Sequence, residues 1–513
     1  MTNMLLPTRF GRNIATNYAN RGVSTLVALL ITPVLAHGLG KEQYGIWVLA
    51  TSLSLYVDVL DIGVNAATIK YVAEYHTLGN TDRVRRAIST AFIVLIPAGL
   101  AALGVGVVLA HYYPTIFDID PELAGTTTAL VLLIAFPLAI SVPGDTFGGT
   151  LGALQRFDLL NLSLTSVLVA SALAWWIIIK VGGGLIALGI ATAIIGLAGQ
   201  ATRFLMVRRL VPGATVSFRL FDRSLVRPLA TLSGWLALGR SAQIAITRID
   251  TLIVGVLLGA GSAGVYAIGQ KLAFAAEKLA VPGTLGFFPF ASELAARRNR
   301  EGLRQALLTG TRISLAIAGP ITIILVVLGG PLIDAWVGPE FADASTIVVY
   351  LVSANAIISL SRTSSLMMQG GANARTPALL LGLEAVVNVG LSIGLGLSIG
   401  MQGVALATLI ASATVRLGLL IPVACREFGL SYFKLLATIV RAHGPPAVAS
   451  LAIGMVLDRT DLPSVALVFL GGATMFSIYM IVFAFTGLEP SERARVWAAL
   501  RGVRPGLMRV IGS

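Results

Sequence analysis

Arg240 and Arg248 stand eight residues apart in the stretch GRSAQIAITRID, Gly239–Asp250, with Asp250 two residues beyond. On a helix, that spacing brings both side chains back near one face. Guanidinium groups fork the oxygens of a phosphate or carboxylate bidentately, so the pattern suits an anion. The surrounding residues are apolar, and a charge near a bilayer centre costs about 2.5–3.5 kcal/mol on insertion scales. Charges kept at that cost face a water-filled cavity or pair with one another. The same setting holds Arg21, then Lys271 and Lys278 seven residues apart, Arg362, Arg416, and the acids Asp58, Asp61, Asp250, Glu277 and Glu384.

The excess is positive. The candidate substrate-binding residues are therefore Arg21, Arg240, Arg248, Lys271, Lys278 and Arg362, as the lining of a cationic cavity. Asp58 and Asp61 share a helical face at i, i+3, and with Asp250 and Glu277 they are candidates for ion coupling or charge balance. Adjacent helical residues do not face each other, so partners for Arg248, Asp250, Glu277 and Lys278 must come from other spans. Arg362 and Arg416 lie near enough to a span end to snorkel. The four histidines, His37, His76, His111 and His443, are scattered, and no paired His or Cys spacing marks a metal site. No Gly-rich loop precedes Lys-Ser or Lys-Thr, so ATP hydrolysis by a P-loop is excluded. Asp118 and Asp120 read as an exposed acidic loop. The expectation is a protein with no catalytic residues, metal or bound cofactor. Coupling to H⁺ or Na⁺ is left open.

The elements that position these charges are membrane spans. Of the 513 residues, 56% are hydrophobic and 12% charged, and mean hydropathy is +0.86. Soluble domains carry about 25% charged residues. A span needs about 20 mostly apolar residues, and about fourteen such runs follow one another, from Asn13–Gly38 to Leu462–Phe485. Their length indicates helices and not the ~10-residue strands of a barrel. The fold class is an all-α polytopic membrane protein. No short apolar core with a cleavage site follows the N-terminus, so no cleaved signal peptide is expected. The single cysteine, Cys425, excludes a disulfide framework.

The net charge of +13 would suit nucleic acid, but its distribution is topological. Every second connection is basic: Arg9 and Arg12; Lys70, Arg83, Arg85 and Arg86; Arg156; Arg208 through Arg227; Arg297, Arg298 and Arg300; Arg375; Arg426, Lys434 and Arg441; and the tail. The alternate loops are acidic or neutral, with only Lys41, Lys180 and Arg459. Positive charge stays in the cytoplasm, so both termini are expected there, in a cytoplasmic membrane crossed many times. The expected organisation is an N-lobe at 1–210, an interlobe connector at 211–228, a C-lobe at 229–428, two further spans at 429–488 and a basic tail at 489–513. That tail suits a cationic helix on the membrane surface.

The two lobes are expected to be copies. LGKEQYGIW at Leu39–Trp47 and LGAGSAGVY at Leu258–Tyr266 are offset by 219 residues, and the same offset pairs Arg21 with Arg240, Thr32 with Thr251, Glu74 with Glu293 and Asn80 with Asn299. Later the offset drifts, matching Gly184, Ala191 and Thr192 with Gly400, Ala407 and Thr408. A unit of six spans is even, so both copies insert the same way up, as in parallel-repeat transporters with a site between the halves. Pro33 and Pro282 are the hinge candidates.

Four segments carry a family resemblance: LGKEQYGIW, then LDIGVNAATIKYVAEYHTLGNTDRVRRAIS, LGALQRFDLLNLS and RIDTLIVGVLLGAGSAGVYAIGQKL. Over almost the whole chain, their order resembles the polysaccharide-biosynthesis (Wzx-type) flippases of the multidrug/oligosaccharidyl-lipid/polysaccharide exporter superfamily. The resemblance implies two six-helix lobes, a central cavity and two extra C-terminal spans. It implies a polyprenyl-diphosphate-linked oligosaccharide as substrate, moved by alternating access, with glycosyltransferases and a polysaccharide polymerase as candidate partners. It places cavity arginines in the regions of Arg21, Arg240 and Arg248. Two alternatives remain: a drug or cation antiporter of the same fold, which would want an acidic cavity, and a membrane glycosyltransferase or polymerase, which would want long catalytic loops.

Overall fold

A computed structural model describes residues 8–54, 68–280, 287–370, 373, 375–457, 459, 463–490 and 492–494; for 8–15, 17–19, 228–247, 280, 288 and 289 it describes the backbone. The described residues form helices and no strand. They are α1 (Thr8–Ser52), α2 (68–77), α3 (Thr81–Ile116), α4 (Pro121–Ala153), α5 (Phe157–Lys180) and α6 (Leu185–Leu210). After a one-turn 3₁₀ helix at Phe218–Leu220 come α7 (Arg223–Ala280), α8 (Phe287–Ala296), α9 (Arg300–Val337), α10 (Ala344–Gly370) and α11 (Arg375–Ile399). The last three are α12 (Met401–Glu427), α13 (Tyr432–Leu457) and α14 (Ser464–Thr486).

Twelve of these stretches are long and apolar enough to cross a membrane. Two of the twelve lie in α1 and α7, which each bend once and run on into a second of the spans read from the sequence, giving fourteen. The bends are at Gly40 (φ 72°, ψ 172°) and Gly259 (φ 81°, ψ 173°). These glycines are 219 residues apart, so the repeat is written in the backbone as well as in the text. Only glycine takes that conformation without steric cost. Pro33 lies inside α1, but the break in helical φ/ψ comes seven residues later; Pro282 lies outside the described residues. The repeat recurs at the start of the third span of each copy. Asn80 caps α3 by accepting from the Arg83 N–H, and Asn299 caps α9 by accepting from the Gly302 N–H, at nearly identical φ/ψ. One register differs from the sequence match: the left-handed glycine after α5 is Gly182 (φ 76°), and Gly184, paired by sequence with Gly400 (φ 72°), is instead the extended cap of α6.

The chain divides into two compact units. The first holds Met1–Ile268 and Gly396–Met401, the second Gly269–Leu395 and Gln402–Ser513. Within the first, α3 runs along α4, α4 along α6 and α1 along α5. Its core gathers Val72, Ile88, Leu95, Phe147, Leu151 and Val207. The segment beyond the Gly259 bend packs here against the segment beyond the Gly40 bend. The repeat-equivalent Gly45 and Gly264 meet backbone to backbone: a Cβ on Gly264 would lie 3.0 Å from the Gly45 nitrogen, and one on Gly45 would overlap the Ala260 carbonyl. The 211–228 connector is fastened to α3. Ser89 Oγ donates to the Ser217 carbonyl (2.8 Å), Thr90 Oγ1 accepts from the Asp222 N–H (2.9 Å), and Arg85 donates to the Pro212 carbonyl (2.8 Å). Asp222 then starts α7 by accepting from both the N–H and the hydroxyl of Ser224, which hold its carboxyl below the usual range.

In the second unit α9 packs with α10, α13 and α14. A core of Leu307, Met367, Met368, Ile421, Cys425 and Leu435 is joined by Tyr479 and Phe483 of α14 against Ala442 and Ala316. Across both units large apolar side chains such as Leu100, Val108, Ile194, Val386, Phe469 and Phe485 are exposed. Facing lipid tails, such side chains lose nothing, because the bilayer interior is as apolar as they are.

Candidate functional site

Asn20, next to Arg21, donates to the Asn161 carbonyl (3.2 Å) and to Thr165 Oγ1 (2.8 Å), both on α5. These bonds fix how α1 is rotated about its axis. Arg21 follows on the neighbouring face and is exposed. On α7 the same geometry works through an acid. Asp250 is 2% exposed and accepts from the Tyr266 hydroxyl (3.2 Å), a bond that reaches across the Gly259 bend. A helix turns about 100° per residue, so burying Asp250 turns Arg248, two residues earlier, to the opposite side, where it is exposed. The backbone of Arg240 is helical and eight residues further back on α7; its side chain lies outside the described residues. Asp58 and Asp61 also lie outside them. The exposed Arg21 and Arg248 thus sit on the first span of each repeat copy.

The remaining candidates are in the second unit. Lys271 is half-buried and Lys278 exposed, both past the Gly259 bend on α7. Glu277 and Arg362, expected in different roles, come together: Arg362 Nη2 lies 2.7 Å from Glu277 Oε1, each side chain 24% exposed. The partner of Glu277 is therefore on another span, as the helix-face argument requires.

Sequence reasoning missed two ion pairs. In the first unit Asp145 of α4 accepts from Arg203 (3.1 Å) and Gln200 (3.2 Å) of α6. The signal was present, since Asp145 is a carboxylate inside the apolar run Leu123–Leu151. In the second unit Arg312 of α9 is gripped by both oxygens of Glu492, at 2.7 Å each, from the segment after α14. Arg416, near enough to a span end to snorkel, is 5% exposed. It donates to Glu384 Oε1 (2.8 Å) and to Ser361 Oγ (3.2 Å), and Ser412 also donates to that carboxylate oxygen. Arg416 stands in a π-helical stretch, Ala413–Leu420, whose wider turn re-aims side chains.

The described charges differ in exposure. The carboxylates Asp145, Glu277 and Glu384 are each paired with an arginine of the fold, and Asp250 accepts from the neutral Tyr266 hydroxyl. Arg21 and Arg248 present guanidinium groups at the surface of spans that are otherwise apolar. Chemically, that surface suits an anion. Among the described residues, no group of three or more His, Cys, Asp and Glu gathers to hold a metal ion.

Comparison with known proteins bears on the family and the fold. The chain is 21% identical over 421 residues to the uncharacterized membrane protein EpsK of Bacillus subtilis, covering 78% of this chain and 80% of EpsK. It is 21% identical over 413 residues to the probable flippase AglR of Haloferax volcanii, covering 79% of this chain and 81% of AglR. Among solved structures, the lipid II flippase MurJ in an inward closed conformation superposes with a TM-score of 0.70 at 15% identity, over 92% of this chain and 98% of that one. At that identity the fold is what is shared. A family model described as polysaccharide biosynthesis protein matches residues 10–295, more than half of the sequence. The chain belongs to the polysaccharide biosynthesis protein family.

Proposed function

We propose that the protein is a flippase that moves a polyprenyl-diphosphate-linked oligosaccharide across the cytoplasmic membrane by alternating access, supplying the assembly of cell-surface polysaccharide. Both termini then lie in the cytoplasm. The observation that carries this reading is the exposure of Arg21 and Arg248 on the first span of each repeat copy. An exposed guanidinium within an apolar span must reach water, since lipid would charge it kilocalories per mole. With Arg240 on the same helix, these groups form the cationic lining suited to a diphosphate. The polyprenyl tail stays in lipid while the charged head crosses.

Similarity to AglR, a probable flippase, and to MurJ, a lipid II flippase, supports this choice. A carrier of cationic drugs would present its carboxylates to the path, whereas Asp145, Asp250, Glu277 and Glu384 are committed within the bundles. A glycosyltransferase would need catalytic loops, and the connector between α6 and α7 is tied down on α3. The test is translocation of a polyprenyl-diphosphate oligosaccharide in proteoliposomes. Loss of one charge-assisted hydrogen bond to phosphate costs about 1.5–3 kcal/mol, roughly ten- to a hundred-fold. Arg21→Ala, Arg240→Ala and Arg248→Ala are each expected to slow transport by such a factor. Wild-type rates in all three variants would remove the site.

A further inference from the structure

The groove between α1, just before its Gly40 bend, and the end of α5 carries a second cluster of polar groups, apart from the arginines above. It encloses about 450 Å³ and is lined by Pro33, Val34, His37, Gly38, Trp176, Ile179 and Lys180. Its wall is tight, because Gly38 lies directly against Ile179, where a Cβ would overlap that side chain. Its rim is polar: His37 and Lys180 are both exposed, and the His37 ring is fixed by Nδ1 to the Pro33 carbonyl at 2.8 Å. Trp176 is 46% exposed beside them. Lys41, one turn beyond His37 and past the Gly40 bend, is exposed as well.

Two comparisons within the chain separate these residues from the needs of the fold. The first is the repeat. At the 219-residue offset His37 corresponds to Val256, and in the register that pairs Gly182 with Gly400, Trp176 and Lys180 correspond to Gly394 and Ser398. The second copy builds the same helix ends with no cation, imidazole or indole, so these side chains of the first copy are not required to form them. The second comparison is the loop-charge pattern. On the side poor in cations only Lys41, Lys180 and Arg459 are basic, and two of these three stand at this groove. Retention there runs against the general exclusion of Lys and Arg from that side.

We infer that the α1–α5 groove binds the phosphate head of a membrane amphiphile. Lys180 donates to the phosphate oxygens, the His37 ring, held on the Pro33 carbonyl, frames the head, and Lys41 adds to the local field. Trp176 sits at the interface, where indole rings settle, and Pro33, Val34 and Ile179 receive the first part of an apolar chain. The amphiphile is either a bulk anionic phospholipid or a polyprenyl phosphate; the recognised chemistry is the same. Which leaflet the groove serves rests on the proposed orientation, which makes it the outer one, where a flipped lipid arrives. The binding itself does not rest on it.

The test uses the full chain with Cys425→Ser and Val34→Cys, so that the sole thiol lies in the groove. The rate of maleimide labelling in neutral detergent is followed as phosphatidylglycerol, undecaprenyl phosphate, phosphatidylcholine or inorganic phosphate is added. Expected is at least fivefold protection by one or both of the first two and none by the last two. Lys180→Gln with His37→Gln should abolish that protection, and Lys180→Arg should keep it. Equal protection by phosphatidylcholine would make the groove a mere apolar slot, protection by inorganic phosphate alone would remove the lipid, and unchanged protection in the double variant would remove the cations; each overturns the inference. Protection that persists in a protein unable to translocate lipid-linked glycan would overturn the proposed function and leave this site standing.

Discussion

Glu384 cannot be removed quietly from beside Arg416. The pair is buried at 1% and 7% side-chain exposure, with Nε to Oε1 at 2.8 Å. Taking one partner from a buried pair leaves an uncompensated charge and costs about 3–5 kcal/mol, whereas replacing both with apolar groups is often neutral. Glu384→Gln is therefore expected to lose stability on that scale in detergent-driven equilibrium unfolding. The double variant Glu384→Leu with Arg416→Met should recover most of the loss. A double variant as weak as the single would show that the pair is not the unit of stability. The sequence displayed these charges but not their partnerships. Arg362 and Glu277 are 85 residues apart, Arg203 and Asp145 58, Arg312 and Glu492 180. Pairing depends on which helices lie side by side and on their rotation, and a hydropathy pattern with no strong amphipathic face carries little of either. That is why Arg362 reads from the sequence as a cavity residue, and why the partners of Asp145, the one charge in Leu123–Leu151, and of Arg312 do not read from it at all.

At the scale of the element, the repeat was legible because it is held by residues that cannot be exchanged. Gly40 and Gly259 adopt a backbone that other residues resist; Asn80 and Asn299 cap. The span count was legible for a related reason, as length and polarity are set by bilayer thickness. What the sequence could not give is the place of the bend, assigned to Pro33 and found at Gly40, since a proline at helix depth is absorbed when neighbours re-satisfy the backbone. Nor did it reveal that Gly45 and Gly264 are a contact. Gly45→Ala should destabilise the protein by more than the ~1–3 kcal/mol of ordinary overpacking, because the obstacle is backbone and cannot turn aside. Gly104→Ala on α3 meets nothing within 4 Å and should stabilise by roughly 0.5–1 kcal/mol through helix propensity. Thermal unfolding of the two purified variants in one detergent makes the comparison. Equal effects would mean that the glycine contact is not close-packed.

For the whole molecule the controlling quantity is the sidedness of its +13 charge. The connector bearing Arg208, Arg209, Arg219, Arg223 and Arg227 and the acidic turn around Asp118 and Asp120 lie at opposite ends of their spans if the alternation read from the loops holds. The orientation then follows from the cost of carrying Arg and Lys across during insertion. It decides what each cluster can do: the proposed orientation sets Arg21 toward the cytoplasmic end of α1, from which the proposed lipid-linked substrate would enter, and the His37–Lys180 groove toward the far leaflet. Cys425 is buried and is the only cysteine, so Cys425→Ser provides a clean background. Arg219→Cys, exposed in the connector, is expected to react with an impermeant maleimide in inverted vesicles and not in intact cells. Tyr112→Cys, 55% exposed at the end of α3, is expected to do the reverse. Were both patterns inverted, the guanidinium groups of α1 and α7 would open first toward the outside, and the chain would have to be reconsidered as an importer of anions. Labelling of both positions from one side would break the alternation itself and, with it, the even span count on which the parallel repeat depends.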